Sequence, residues 1–159
     1  MIEAIVAVYG DWGIGAGGTQ PIVVSADRKH FRDVTGGSAV IVGRKTLADF
    51  PGGRPLKNRS NIVLTRQDIR IDGAAVVHST EEALSACAGH DRVFVIGGES
   101  VYRQLLDRCD EAFVTMIDFE YEADAYFPDL TKEGWEMVGE SEEQTYFDLC
   151  YTFTTWKKK

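Results

Sequence analysis

The sequence predicts an α/β fold: a single domain with a mainly parallel eight-stranded sheet, an antiparallel C-terminal edge and about four flanking helices. The first observation behind this is that short apolar runs rich in β-branched residues alternate with helical patterns up to residue 106. Such alternation gives parallel strands joined by right-handed crossovers. The second is that three further strand patterns follow without helices between them, which indicates an antiparallel edge. The length of 159 residues, 44% of them hydrophobic, suits one domain over residues 1–159.

Eight segments have the apolar, β-branched composition that is typical of strands. Glycines end several of them, as at Gly10 after the first strand and Gly43 after the second. The predicted strands cover residues 2–8, 39–42, 61–65, 74–77, 92–96, 111–117, 135–140 and 147–156.

Four segments carry helical patterns. Ser25 is expected to cap the first helix, and Ser79-Thr-Glu-Glu82 has the capping-box pattern that opens the third. The second and fourth helices follow glycine turns. The predicted helices span residues 26–34, about 43–50, 79–87 and 99–106.

The composition excludes several classes of protein. A formal charge of −8 does not supply the basic footprint that nucleic acid requires. Three cysteines without CxxC or Cys/His spacing argue against a disulfide framework and a metal site. The apolar runs are far shorter than the roughly 20 residues of a membrane span, and the start lacks a signal-peptide pattern. We expect a cytoplasmic protein with no membrane or nucleic-acid partner.

One glycine motif is misleading. Gly13-Ile-Gly-Ala-Gly-Gly18 satisfies GxGxxG directly after a strand, but a dinucleotide fingerprint must open into a helix. The residues that follow include Pro21 and β-branched residues, which resist a helix. We interpret residues 9–24 as a loop that covers a pocket.

Two other glycine turns predict a binding site. A strand ends at Gly43-Arg-Lys-Thr46, and a helix start there would expose backbone N–H groups beside two cations. Gly97-Gly98 repeats this arrangement after the fifth strand. Ligands of such sheets lie beyond the carboxyl ends of the strands, so the pair predicts a ligand with more than one phosphate. Purely structural turns are the alternative at both places.

Asp27 is the candidate acid. An acid in the first turn of a helix is ordinarily a partner of the helix dipole or a cap. Asp27, however, shares a helical stripe with Phe31 and Val34, which should face the crevice. An acid that is held beside an apolar ring and away from water can have a raised pKa and can exchange a proton.

Taken together, these features resemble the dihydrofolate reductase family. The similar fragments run through nearly the whole chain in the family's order, and their joint spacing is more specific than any one of them. They are Ile14-Gly15, Pro21, Asp27 with Phe31, residues 40–46, Arg54-Pro-Leu56, Arg59 with Asn61-Ile-Val-Leu64, residues 95–102, Thr115-Met-Ile-Asp118 and residues 124–129.

The resemblance implies NADPH-dependent reduction of 7,8-dihydrofolate to tetrahydrofolate, within one-carbon metabolism, and makes the chain an antifolate target. It implies that NADPH lies across the sheet edge, with Arg66 near the adenosine phosphate and, together with Arg44, favouring NADPH over NADH. The cofactor-binding residues that it implies are Ala7, Ile14, Gly15, Gly43, Arg44, Lys45, Thr46, Thr65, Arg66, Ile96, Gly97, Gly98, Glu99, Ser100, Val101 and Tyr102.

The resemblance also implies the substrate site. Asp27 would pair with the pterin ring and assist its protonation, and Thr115 would bond to Asp27 from behind as the second catalytic residue. Phe31 would flank the ring system, and Arg59 would bind the α-carboxylate of the glutamate tail. The remaining residues expected to line the pocket are Ile5, Phe50 and Ile96.

The sequence departs from the family at several positions. Ile22 stands where the family usually has tryptophan, so the indole N–H that helps to bridge water toward the substrate is absent. Gln20, Arg28 and Ser100 are also unusual. We therefore expect altered affinity for substrate and for pyrimidine antifolates. Two alternatives stay open, namely a riboflavin-pathway pyrimidine reductase of the same fold and a catalytically silent pterin- or nucleotide-binding module. A monomer is expected.

Overall fold

The computed structural model describes residues 1–17 and 20–159. Within that part of the chain, the strands are β1 (Ile2–Val8), β2 (Gly13–Gly15), β3 (Ala39–Gly43), β4 (Ser60–Leu64), β5 (Ala74–Val77), β6 (Val93–Gly97), β7 (Glu111–Ile117), β8 (Ala125–Tyr126), β9 (Trp135–Glu140), β10 (Gln144–Tyr146) and β11 (Leu149–Lys158). The α-helices are α1 (Ser25–Thr35), α2 (Arg44–Ala48), α3 (Thr80–Ala86) and α4 (Glu99–Leu105).

The predicted fold class is confirmed. The main sheet has the order β10-β11-β7-β1-β6-β3-β4-β5, with β9 also paired to β11. Strands β7, β1, β6, β3, β4 and β5 run parallel, and β11 is antiparallel to β7. Because β7 and β11 come from the last third of the chain and β1 from its start, both ends of the sequence belong to one sheet.

The sheet has nine strands rather than the predicted eight. The segment predicted as one strand over 147–156 begins in a turn, because Phe147 has a φ of 54° and interrupts the extended backbone. Residues before and after this turn form the antiparallel hairpin of β10 and β11, with Tyr146 opposite Leu149. Phe-Asp at the turn carries none of the glycine or asparagine signals that mark tight hairpins.

The predicted loop over 9–24 contains a short strand. β2 pairs with β8 in a separate two-stranded sheet. A Cβ at Gly13 would lie 2.8 Å from the Cβ of Ala123, so glycine permits the close approach of this segment. Gly13–Gly15 is therefore a strand and not a helix start, in agreement with the rejection of GxGxxG as a fingerprint. Gly18, the last glycine of that motif, lies outside the described residues.

Apolar side chains on the two faces of the sheet form separate clusters. Along β1, Ala4, Val6 and Val8 belong to one cluster and Ile5 to the other, as the two-residue period of a strand requires. The second cluster also contains Val40, Val42, Leu47, Val63, Phe94 and Ile96. This face of the sheet, together with the edge where the parallel strands end, positions the candidate site.

One of the two predicted helix caps is wrong. Ser25 is the first residue of α1 and makes no capping bond, and Val24 stands in the N-cap position. The Val24 carbonyl accepts the backbone N–H groups of Asp27 and Arg28, so backbone geometry one residue earlier starts the helix. Ser79 does cap α3 through a bond from the Glu82 N–H.

Among the described residues, no helix combines the length and the apolar composition that a membrane crossing requires.

Candidate active site

The candidate site lies at the edge where the parallel strands end. Ala7 lies near the end of β1, Gly43 and Gly97 end β3 and β6, and Thr65 follows β4. Val42 pairs with Gly97 in the sheet register. Since the carboxyl ends of parallel strands share one edge, the structure brings these predicted cofactor residues together.

The two glycine turns pack against each other. A Cβ at Gly98 would lie 2.8 Å from Oγ1 of Thr46, and a Cβ at Gly43 would lie 3.2 Å from Cγ2 of Val101. The N-termini of α2 and α4 are therefore neighbours, with unpaired backbone N–H groups at each. Arg44 and Lys45 are exposed in the first turn of α2. This arrangement can hold an anionic ligand.

Two predicted cofactor residues of α4 brace that helix through their side chains. The buried Tyr102 hydroxyl donates a hydrogen bond to the Ile5 carbonyl at 2.7 Å, and burial raises the pKa of Tyr102. Oε2 of Glu99 accepts the backbone N–H of Tyr126 at 2.6 Å. These side chains therefore position the turn, and the backbone is left to face a ligand.

The other predicted cofactor residues lie around this edge. Ile14 and Gly15 are in β2, and Arg66 is exposed after Thr65. Oγ1 of Thr65 accepts the N–H of Gln67 at 3.2 Å, which shapes the turn after β4. The Ser100 hydroxyl accepts a bond from Gln104 at 2.9 Å on the exposed side of α4.

Asp27 is held by a residue from the far end of the chain. The hydroxyl of Thr115, which is buried in β7, donates to Oδ1 of Asp27 at 2.6 Å. Burial raises the pKa of the Asp27 carboxyl above its ordinary value, and the Thr115 bond and the charge of His30 oppose this rise. The structure thus places a shielded carboxyl with one oxygen oriented by the protein.

Apolar residues form a wall beside this carboxyl. Ile5 and Ile96 are buried in the second apolar cluster, and Phe31 and Phe50 pack against it half-buried. Phe31 lies one helical turn after Asp27 on α1. All four residues that were predicted to line the pocket with Asp27 therefore lie in one cluster.

Arg59 is fixed by three hydrogen bonds at the end of α1. Its Nε donates to Oγ1 of Thr35 at 3.2 Å, and its terminal nitrogens donate to the carbonyls of Lys57 at 2.6 Å and Arg32 at 3.3 Å. The guanidinium lies 6.0 Å from the ring centroid of Phe31. Burial and the nearby charge of Arg32 lower the pKa of Arg59. Each terminal nitrogen carries a second N–H, which can meet a carboxylate.

The comparison with known proteins decides the family. The model of the dihydrofolate reductase family matches residues 1–158. The chain belongs to the dihydrofolate reductase family. This confirms the resemblance that the sequence fragments indicated.

Individual relatives match over nearly their whole length. The dihydrofolate reductase of Bacillus subtilis (strain 168) is 35% identical, and the alignment covers 100% of this chain and 95% of the relative. The dihydrofolate reductase of Neisseria gonorrhoeae is 34% identical, and the alignment covers 99% of this chain and 98% of the relative. A solved dihydrofolate reductase from Enterococcus faecalis, complexed with NADP(H) and RAB-propyl, has a TM-score of 0.90 at 31% identity, with 100% of this chain and 96% of that chain covered.

Three residues near the site of this dihydrofolate reductase family member were not predicted from the sequence. Phe113 packs into the apolar cluster, and its position two residues before Thr115 on β7 was an available signal. The ring of His30 lies 4.3 Å from that of Phe153, and the Tyr9 hydroxyl bonds to the carbonyl of Ile22. Neither contact has a local sequence signature, because each depends on the packing of distant segments.

Proposed function

We propose that this chain reduces 7,8-dihydrofolate to 5,6,7,8-tetrahydrofolate with NADPH, and that Asp27 assists the protonation that accompanies hydride transfer. As a member of the family, the chain is an NADPH-dependent oxidoreductase. The observation that carries the finer proposal is the shielded Asp27 carboxyl, which Thr115 orients through one oxygen.

The residues at the sheet edge fit NADPH. At Gly43 and Gly98 the two turns lie so close together that a Cβ would meet Val101 or Thr46, and such glycine-shaped helix starts are suited to hold a pyrophosphate on their backbone N–H groups. Arg44, Lys45 and Arg66 are exposed beside it, and within the described part of the chain none of them is in an ion pair. When bound, NADPH supplies the hydride.

The neighbouring wall fits the substrate. A carboxylate pairs well with the adjacent amino and ring N–H groups of a pterin, since both of its oxygens can accept. Phe31 offers an apolar face to a flat ring, and the free N–H groups of Arg59 match the planar α-carboxylate of the tail. Asp27 lies in the first turn of α1 and Arg59 is bonded to Thr35 at its end, so the two side chains suit the opposite ends of one elongated ligand.

The chemistry requires one hydride and one proton across the C=N bond of the dihydropterin. Protonation of the ring nitrogen makes its carbon a better hydride acceptor. Because burial raises the pKa of Asp27, the carboxyl holds a proton at a higher pH than an exposed aspartate would. It can pass that proton to the substrate directly or through water.

The two alternatives make different predictions. A riboflavin-pathway pyrimidine reductase would have no use for the Asp27 and Phe31 pair or for a tail-binding Arg59, and the family match argues against it. A silent binding module would bind NADPH without oxidising it in the presence of dihydrofolate.

The test is NADPH oxidation, with and without dihydrofolate, by the parent chain and by Asp27→Asn across pH. We expect the variant to lose activity at neutral pH on the order of 10²-fold, as for a positioned acid, and to recover as the solution protonates the substrate. Asp33→Asn, which removes an exposed acid of the same helix, is the matched control and should resemble the parent. Oxidation that is independent of dihydrofolate would reject the proposal.

We further propose that residues 1–159 act as one domain, as a monomer and in the cytoplasm. The altered response to pyrimidine antifolates is part of the same proposal, because Ile22 offers no indole N–H. Equal inhibition constants for the parent and Ile22→Trp would count against that part.

A further inference from the structure

Tyr9 places a phenol at the end of β1, next to the candidate active site. Its side chain is 2% exposed, and its hydroxyl donates a hydrogen bond to the carbonyl oxygen of Ile22 at 2.5 Å. The ring meets those of Tyr121 and Phe119 edge to face, with centroids 5.0 Å and 6.3 Å away. Packing therefore fixes the ring, and the hydroxyl adds a single polar link to a segment that is distant along the chain.

That segment leads directly into the helix that carries the candidate acid. Two residues after Ile22, the carbonyl of Val24 accepts the backbone N–H groups of Asp27 at 3.0 Å and Arg28 at 3.1 Å. Val24, the N-cap residue of α1, makes no side-chain capping bond within the described part of the chain. The Tyr9 bond is thus a tertiary attachment close to the uncapped start of this helix.

The attachment lies beside the strand that holds the carboxyl itself. β1 and β7 are parallel neighbours, and Ala7 pairs with Thr115 in their register. Thr115 bonds to the Asp27 side chain, while Tyr9, two residues after Ala7, bonds to the backbone that leads to Asp27. Adjacent strands therefore fasten the acid at two points, one through its side chain and one through the backbone before it.

We propose that Tyr9 is a positioning residue for the reduction: its hydroxyl holds residues 22–24 against β1, so that Asp27 stays bonded to Thr115 and shielded from water. The catalytic consequence rests on the proposed function. The positioning itself rests on the hydrogen bond between Tyr9 and Ile22, which requires no ligand.

The proposal predicts a measurable change at Asp27 when the hydroxyl is removed. Loosening residues 22–24 would admit water to the carboxyl, and burial is the main cause of its raised pKa. The pKa of Asp27 should therefore fall toward its ordinary value. The other titratable groups near Asp27 are His30 on α1, Tyr102 on α4 and Tyr9 itself, and Tyr9→Phe leaves the first two unchanged.

The chain offers a matched control in Tyr121. Its hydroxyl is buried and has no hydrogen-bond partner among residues 1–17 and 20–159, although its ring packs on that of Tyr9. Tyr9→Phe and Tyr121→Phe each remove one buried phenolic oxygen from the same aromatic group. Only Tyr9→Phe breaks the attachment to Ile22.

The experiment follows the Asp27 carboxyl by carbon-13 NMR across pH in the ligand-free protein, and then kcat and KM of dihydrofolate-dependent NADPH oxidation. For Tyr9→Phe we expect a lowered pKa of Asp27, an alkaline limb of the kcat profile that moves to lower pH, and a fall in kcat of about fivefold, as for one lost neutral hydrogen bond. Tyr121→Phe should match the parent in all three measurements.

An unchanged Asp27 titration in Tyr9→Phe would overturn the proposal, and so would equal shifts in both variants. Amide hydrogen exchange of the parent gives a second measurement that needs no variant: the N–H groups of Asp27 and Arg28 should exchange slowly, and rapid exchange would also overturn it. If the parent did not oxidise NADPH with dihydrofolate, the proposed function would fail, while the NMR titration would still decide the positioning role.

Discussion

The two halves of the candidate site are built in different ways. The half that we propose for the cofactor consists of two strand-to-helix turns, each formed by a few consecutive residues and shaped by Gly43 and Gly98. The substrate half depends on side chains that meet across the chain, such as Thr115 and Asp27, which are 88 residues apart. The cofactor half should therefore be sensitive to added volume, and the substrate half to the loss of single functional groups.

The largest effect, a loss of NADPH binding, is expected where a new side-chain atom would have no room. In Gly98→Ala the new Cβ would lie 2.8 Å from Oγ1 of Thr46, closer than real contacts allow, so one of the two turns must move. Overpacking of this kind costs about 1–3 kcal/mol, and we expect NADPH to bind on the order of tenfold to a hundredfold more weakly. Fluorescence titration with NADPH measures this directly.

Gly139, which lies in a strand with room for a side chain, provides the control. A Cβ at Gly139 in β9 would make only ordinary contacts, at 3.7 Å from Thr155, so Gly139→Ala should bind NADPH as the parent does. In a Thr46→Ala background the clashing oxygen is absent, so adding Gly98→Ala should weaken NADPH binding less than it does in the parent. Normal affinity in Gly98→Ala alone would show that volume does not define this half of the site.

The second effect concerns a single functional group of the substrate half. In Arg59→Lys the charge remains, but one ammonium cannot bond to Thr35, Lys57 and Arg32 and also present a planar fork. We expect KM for dihydrofolate to rise about tenfold, in line with a charge-assisted hydrogen bond of about 1.5–3 kcal/mol, with a smaller change in kcat. Steady-state kinetics separate the two constants.

The exposed residue Arg70 provides the control for Arg59→Lys. Arg70→Lys changes the same functional group at an exposed position and should leave both constants unchanged. NADPH affinity should also be unaffected in Arg59→Lys. A parallel loss of NADPH binding would mean that the two halves of the site are not independent.

The contrast between the halves explains how much of the site could be predicted. The turns at Gly43 and Gly97-Gly98 could be predicted from the local sequence, because a glycine between a strand pattern and a helix pattern is typical of a turn. Asp27 and Phe31 could be placed on one face by helical spacing alone. The identity of Thr115 as the partner of Asp27 came only from the family resemblance, since nothing near residue 115 points to residue 27.

The failures of prediction also have physical causes. Instead of the expected side-chain cap at Ser25, backbone hydrogen bonds to the Val24 carbonyl start the helix. Capping propensity does not show which of two neighbouring residues begins a helix when a tertiary contact fixes the segment. The turn at Phe147 was missed because phenylalanine rarely adopts a positive φ, whereas Phe147 has a φ of 54°. The bond from Tyr9 to Ile22 depends on how a loop lies over a strand, which periodicity does not encode.

The smallest effect is expected at His30, which modifies Asp27 by charge alone. Its ring packs against that of Phe153 at a tilt of 31°, with centroids 4.3 Å apart. Burial lowers the pKa of His30, while the charges of Asp27 and Asp33 on the same helix oppose this. The lowered pKa favours the neutral form of His30, and the proton that the ring gains in acid adds a charge that lowers the pKa of Asp27.

His30→Gln removes that charge and keeps a polar side chain of similar reach. The variant also loses the contact of the ring with Phe153, which should lower stability more than activity, so at neutral pH we expect kcat to stay within about twofold of the parent, or ~0.5 kcal/mol. In acid, the pKa of Asp27 should be higher than in the parent, because no cation opposes its protonation. The pH dependence of kcat measures both, with His90→Gln, at an exposed position, as the control. A downward shift of the Asp27 titration in His30→Gln would contradict this coupling and show that the His30 ring acts on the carboxyl through packing instead.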